Sequence, residues 1–88
     1  MKGPDTDRAD ALRRIGFNSS VSVEGQELHV QTEVAGSQSL RIRSIIFRGG
    51  TLIEAAVEPL PTTGEFEAIE RFVRDHHQQL LSALKAKA

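Results

Sequence analysis

A Gly-Gly pair at positions 49 and 50 interrupts an apolar-rich segment that runs from Leu40 to Glu58. Two-residue hairpin turns of the primed types require positive φ angles, which glycine adopts at no steric cost. The pair therefore predicts a β-hairpin, and the turn determines how its two strands pair. Counting outward from the turn places Phe47 opposite Leu52, and each later pair lies one residue further along both strands.

This pairing gives the predicted hairpin two faces, since successive side chains of a strand point to opposite sides. One face carries Ile42, Ser44, Ile46, Ile53, Ala55 and Val57. The other face carries Arg41, Arg43, Ile45, Phe47, Leu52 and Glu54. One face must lie on the core, so we expect the second to be a surface with Ile45, Phe47 and Leu52 at its apolar centre. Arg41, Arg43 and Arg48 would then surround them, as a polar rim surrounds the centre of an interface.

A second hairpin precedes the first in the chain. Alternating apolar residues from Phe17 to Val23 and from Leu28 to Val34 flank a Glu24-Gly25 turn, which is the pattern of a hairpin. The strand region ends at Pro59-Leu60-Pro61, because proline cannot donate to a strand ladder.

The two ends of the chain differ in their helical signal. We expect residues 1–15 to form either a flexible tail or a short helix capped by Asp5-Thr6-Asp7. An alternative to an open outer face is that this segment folds over Ile45, Phe47 and Leu52. Towards the other end, Thr62 and Glu65 fit a capping box at the start of a helix. That helix has one apolar stripe, formed by Phe66, Ile69, Val73, His77, Leu80 and Leu84, with His76 and Leu81 at its edges.

Together these patterns predict an α+β fold. We expect residues 16–88 to form a single ββββα domain, a four-stranded antiparallel sheet with one long C-terminal helix packed on one face. A chain of 88 residues can bury one modest core, and a domain of this size gains stability when a partner adds buried area.

Composition narrows the possible functions. The chain has 11 basic and 12 acidic residues, so it has no overall positive field that would attract nucleic acid or anionic lipid. It has no cysteine, which excludes disulfides and thiol catalysis and agrees with a reducing compartment. No apolar run reaches the roughly 18 residues of a membrane span, and acidic residues stand where a secretory signal would be apolar. The sequence therefore predicts a cytoplasmic protein.

The residue pattern predicts no enzyme activity, no cofactor and no metal site. A catalytic nucleophile needs an adjacent base, and no motif supplies the pair. His76 and His77 are consecutive, so a helix directs them about 100° apart, and His29 stands alone on the outer side of a strand. Glu65 and Glu67 at the start of the last helix would repel phosphate. We therefore expect no nucleic-acid partner.

Two segments resemble a group of short bacterial domains found in myxobacteria and their relatives. These domains share a Gly-x-Glu turn followed by a His-Val-Gln-Thr-Glu strand, here residues 25–33. They also share an apolar-Phe-x-Gly-Gly-Thr-apolar hairpin, here residues 46–52, and the resemblance covers most of residues 25–84. Many of these domains have no assigned activity, so the resemblance implies the fold more than a function.

In size and style the chain is also similar to the small partner subunit in the exchange-factor complex for a Ras-like GTPase that sets cell polarity and motility in gliding bacteria. That similarity implies a regulatory adaptor that binds the GTP-bound form preferentially. We therefore expect a bacterial protein-protein interaction module whose partner is a small GTPase or its regulator. Two alternatives stay open: a homodimer whose outer face is only structural, and a module that binds a small ligand or nucleic acid.

Overall fold

A computed structural model describes residues 4–37, 39–61 and 63–86 of the chain. Within these ranges there are two helices, α1 at Pro4–Leu12 and α2 at Phe66–Ala86. Four strands lie between them: β1 at Gly16–Val23, β2 at Gln26–Ala35, β3 at Arg41–Arg48 and β4 at Thr51–Pro59. The strands form one antiparallel sheet in chain order. The predicted α+β fold is therefore confirmed, and the N-terminal segment contains a short helix.

Both predicted hairpin turns are present. Gly49 and Gly50 have φ angles of 57° and 82°, and Glu24 and Gly25 have φ angles of 53° and 81°. Positive φ at both central positions is what a primed two-residue turn requires. The β1–β2 hairpin pairs one-to-one about its predicted Glu24-Gly25 turn, with Val21 and the other alternating apolar residues on one side of the sheet.

The β3–β4 hairpin departs from the predicted register after its first pair. Phe47 lies opposite Leu52 as predicted, but the partner of Ile46 is Glu54, which leaves Ile53 without a partner in β3. This irregularity is a β-bulge, in which two residues of one strand oppose one residue of the other. The prediction assumed one-to-one pairing, and a bulge shifts every later pair by one residue.

The bulge exchanges the two faces of β4. The residues that share a face with Ser44 are Glu54, Ala56 and Glu58, whereas Ala55 and Val57 share a face with Ile45. All nine residues of β4 are exposed. The expectation that Ile53, Ala55 and Val57 lie on the core is therefore wrong, and so is the placement of Glu54 beside Ile45.

The core lies in two apolar clusters on the face of the sheet that α2 covers, which we call the inner face. One cluster contains Leu12, Ile15, Val34, Ile42, Leu60, Ile69 and Val73. The other contains Val21, Leu28, Val30, Ile46, Leu81 and Leu84. The predicted stripe of α2 supplies both clusters, except that Leu81 is buried and Leu80 only half-buried. In the described ranges, neither helix is long and apolar enough to cross a membrane.

The N-terminal segment belongs to the inner face. Leu12 and Ile15 are 1% and 5% exposed within the first cluster. The Arg13 side chain donates hydrogen bonds to the Gly36 carbonyl at 2.7 Å and to the Ser37 carbonyl at 2.9 Å. These contacts hold the segment against the β2–β3 connection, so the alternative that it folds over Ile45, Phe47 and Leu52 is wrong.

Both helices begin at residues other than those predicted. The helix α1 begins at Pro4, so Asp5-Thr6-Asp7 lies inside its first turn rather than ahead of it. In α2, the Glu65 carbonyl accepts hydrogen bonds from the Ala68 and Ile69 amides, both at 3.1 Å. The N-cap is the residue whose carbonyl accepts the first helical bond, which makes it Glu65. Thr62, the predicted cap, lies outside the described residues.

The burial of Leu12 makes the N-terminal segment a stabilising part of the domain. We expect Leu12→Ala to lower the free energy of unfolding by about 2–5 kcal/mol, because it leaves a cavity in the first cluster. The matched control is Leu52→Ala, at a residue 53% exposed, for which we expect a change within about 0.5 kcal/mol. Urea denaturation of the three proteins measures both values, and equally small changes would contradict a core role for Leu12.

Candidate functional site on the outer face of the sheet

The outer face of the sheet, opposite the two helices, carries an apolar surface on β3 and β4. We call it the outer patch, and it consists of Ile45, Phe47, Leu52, Ala55 and Val57. Cross-strand pairing joins Phe47 to Leu52 and Ile45 to Ala55. Leu52 is 53% exposed and Val57 is 55% exposed, while Ile45 and Phe47 are half-buried by their neighbours in the sheet.

Polar residues of β2 border the outer patch. His29 lies opposite Phe47, and Gln31 lies opposite Ile45. Further along the same pair of strands, Arg43 lies opposite Glu33 and donates from its Nε to the Glu33 carboxylate at 2.8 Å. This ion pair is exposed, so its contribution to stability is small. The outer patch therefore has a polar border along β2 and an open border along β4.

The structure brings together five of the six residues that the sequence predicted for the site: Arg41, Arg43, Ile45, Phe47 and Leu52 lie on the outer face. Arg48 does not join them, because it shares its side of the sheet with the buried residue Leu28. Its guanidinium donates to the Gln26 side chain at 3.4 Å instead.

Sequence reasoning missed two members of the outer patch, Ala55 and Val57. The predicted register places both on the opposite face, because the bulge at Ile53 leaves no local signal in the sequence. Leu52 and Ile53 are both apolar, so the alternating pattern of the hairpin is equally compatible with a register that includes the bulge and one that does not. The outer patch is consequently larger than the sequence predicted.

The open border of the outer patch is a strand edge. β4 is the last strand of the sheet, and no described strand pairs with its free side. Edge strands offer unpaired amide and carbonyl groups to another chain. Glu54 and Glu58 on the inner side of β4, and Pro59 at its end, are residues that typically discourage indiscriminate pairing at such an edge.

His77 is the other chemically distinctive residue, and it lies in the core. It is 2% exposed; its Nε2 is 2.8 Å from the Ser19 hydroxyl, and its Nδ1 is 2.8 Å from the Thr32 hydroxyl. A neutral imidazole has one donor and one acceptor nitrogen, and a hydroxyl can complement either. Burial lowers the pKa of His77, and the neighbouring His76 lowers it further. The prediction that His77 belongs to the inward-facing stripe of α2 is confirmed, and a hydroxyl group lies at each of its ring nitrogens.

Ser19 and His77 are in hydrogen-bond contact, as are the serine and histidine of a Ser-His-Asp catalytic triad. The third group, which orients the histidine in such triads, is a carboxylate, whereas here it is the Thr32 hydroxyl. Among the described residues, no group of three or more His, Asp or Glu side chains is placed to hold a metal ion.

No protein-family model, no curated protein and no solved structure matches the chain.

The lowered pKa of His77 predicts that acid weakens the fold. The unfolded chain takes up a proton below about pH 6.5, whereas folded His77 does so only at lower pH, so stability falls between these two pKa values. At pH 5.5 the loss from one such group is at most about 1.4 kcal/mol. We expect urea denaturation at pH 7.5 and 5.5 to show a larger loss for the wild type than for His77→Gln. An equal loss in both proteins would contradict this role, because His29 and His76 are present in each.

Proposed function

We propose that the chain is a non-catalytic protein-protein interaction module that binds its partner with the outer patch. The observation that supports this most directly is that five adjoining apolar residues stay uncovered on the outer face while both helices supply the core of the inner face. Burial of a large apolar side chain contributes about 1.5–3 kcal/mol. A partner that covers Phe47, Leu52 and Val57 would gain several such contributions.

The border of the patch favours a partner with acidic groups. Arg41 is exposed at the start of β3, and Arg43 next to the patch is already paired with Glu33. Arg41 is therefore the better placed of the two for a carboxylate of the partner. Such charges at a rim mainly raise the association rate and select the orientation of the partner.

The free edge of β4 offers the same partner a second kind of contact. A strand added beside β4 would form main-chain hydrogen bonds with those of its residues whose amide and carbonyl groups point away from β3. Side chains of the added strand would then lie next to Leu52 and Val57, so one partner could use both the edge and the patch. Strand addition of this kind is a common mode of peptide recognition.

The resemblance to the small partner subunit of a GTPase exchange complex makes a bacterial Ras-like GTPase the first partner to test. An adaptor of this kind needs no catalytic group. It shifts the GTPase towards the GTP-bound form by binding that form more tightly, and the shift is limited by the difference in affinity.

A homodimer is the second candidate, and the long exposed edge strand favours it. Two copies of β4 could pair in antiparallel fashion and continue the sheet from one copy into the other. The outer patches would then adjoin across the dimer axis. In that case the patch would serve assembly rather than a different partner.

Light scattering separates the two candidates. If the patch is free for another protein, the wild type and Val57→Asp are both monomers over a concentration series, and circular dichroism shows the same fold. A wild-type dimer that Val57→Asp dissociates would support the homodimer and contradict the adaptor. The matched control is Gln78→Glu, which adds a negative charge at an exposed site on α2.

Binding to the GTPase is the more specific expectation. We expect the wild type to bind a Ras-like GTPase loaded with a non-hydrolysable GTP analogue more tightly than the GDP-bound form. Val57→Asp should weaken that binding by at least tenfold, which corresponds to about 1.4 kcal/mol, and Gln78→Glu should leave it unchanged within twofold. Calorimetric titration measures these affinities, and equal affinity for both nucleotide states would contradict a role in setting the GTPase state.

A further inference from the structure

A groove runs along the inner face of the sheet between α2 and the edge strand β4. It consists of two cavities of about 180 Å³ and about 160 Å³, which adjoin because His76 and Gln79 of α2 line both. Ala56 and Glu58 of β4 also line the larger cavity, and Phe72 of α2 lines the smaller one. The groove therefore has one side on the helix and the other on the edge strand.

The position of α2 leaves room for one more helix on this face. α2 packs mainly on β1 and β2, and neighbouring strands lie about 4.8 Å apart. The axes of packed helices lie about 8–10 Å apart. A helix at that distance from α2, on the side of β4, would lie over β3 and β4. All nine residues of β4 are exposed, so the described part of the chain leaves this place open.

The flank of α2 that borders the groove is suited to contact with another helix. Residues that recur at spacings of three and four share one flank of a helix, and here they are Phe72, His76, Gln79 and Ala83. Phe72 is 45% exposed, and half-buried Leu80 lies beside it in the larger cavity. The opposite flank, above β1, is charged and carries Glu70, Arg74 and Lys85.

The rim of the groove is acidic. Glu58 lines the larger cavity and Asp75 the smaller one, and Glu54 lies on the same side of β4 as Glu58. No lysine or arginine is among the described residues that line the two cavities. Three carboxylates along one groove favour a partner with basic side chains at matching positions.

A second copy of the chain offers no suitable helix within the described ranges. The apolar stripe of α2 is already buried in its own core. α1 has only nine residues, three of which are aspartates, so the acidic rim would repel it. The occupant that fits the groove is therefore a helix of a different polypeptide.

We propose that the groove binds an amphipathic helix whose apolar stripe is flanked by lysine or arginine. The apolar side chains of this helix pack on Phe72, Ala56 and Leu80, and its basic side chains lie next to the acidic rim. Recognition of a helix in a groove uses apolar anchors at intervals of three and four residues. The bound helix covers the inner side of β4, which α2 leaves exposed.

The test is an NMR titration of the full chain with a synthetic peptide of about 15 residues, the length at which an isolated helix becomes marginally stable. This peptide has leucine on one helical face and lysine on the other, and a comparison peptide has glutamate in place of lysine. We expect the lysine peptide to shift the amide signals of Ala56, His76 and Gln79 with a dissociation constant on the order of 0.1 mM. The glutamate peptide should bind about tenfold more weakly, because the rim repels it.

A pair of matched variants separates the groove from the outer patch. Phe72→Ser removes an exposed apolar anchor from the groove and should weaken binding of the lysine peptide by about fivefold or more. Val57→Ser makes the corresponding change in the outer patch and should alter the affinity by less than about twofold. Circular dichroism shows whether both variants keep the fold. Since the proposed function depends on Val57 and this proposal on Phe72, failure of one is distinguishable from failure of the other.

Four results would overturn the proposal. They are equal affinity for the two peptides, unchanged affinity in a folded Phe72→Ser variant, shifts confined to the outer patch, and no shift with either peptide. Shifts confined to the outer patch would mean that a helix prefers the opposite face of the sheet.

Discussion

One long helix is too narrow to cover a sheet of four strands, and the other features of the molecule follow from this constraint. Neighbouring strands lie about 4.8 Å apart, whereas a helix with its side chains is about 10 Å wide. α2 lies over β1 and β2, and α1 supplies Leu12 to one end of the core. β4 therefore remains exposed along its whole length, and the outer patch lies on the β3–β4 hairpin.

The polar contacts of His77 connect α2 to these two strands. Ser19 on β1 and Thr32 on β2 each contact one nitrogen of its ring. These two contacts join α2 to both strands through buried or half-buried side chains. Ser44 on β3 lies opposite Thr32 but has no such contact, and its hydroxyl is without a hydrogen-bond partner among the described residues.

The sequence predicted the features that depend on neighbouring residues and missed those that depend on distant ones. Gly49-Gly50 and the stripe of α2 are local signals, and both gave correct elements. The packing of Leu12 was not predicted, because its neighbours Val34, Ile42 and Leu60 are far away in the chain. The bulge was missed for a related reason: it reflects how two twisted strands fit together, and Leu52-Ile53 is apolar in either register.

The outer patch depends on the unpaired residue Ile53. Without the bulge, Glu54 would lie beside Ile45 and interrupt the outer patch with a carboxylate, while Val57 would leave the patch for the inner face. Glu58, which lies opposite Ile42 on the inner side, would move to the outer face at the same time. A single inserted residue therefore separates an apolar outer surface from an acidic inner one. This separation is consistent with the frequent occurrence of bulges where a strand must redirect side chains towards a site.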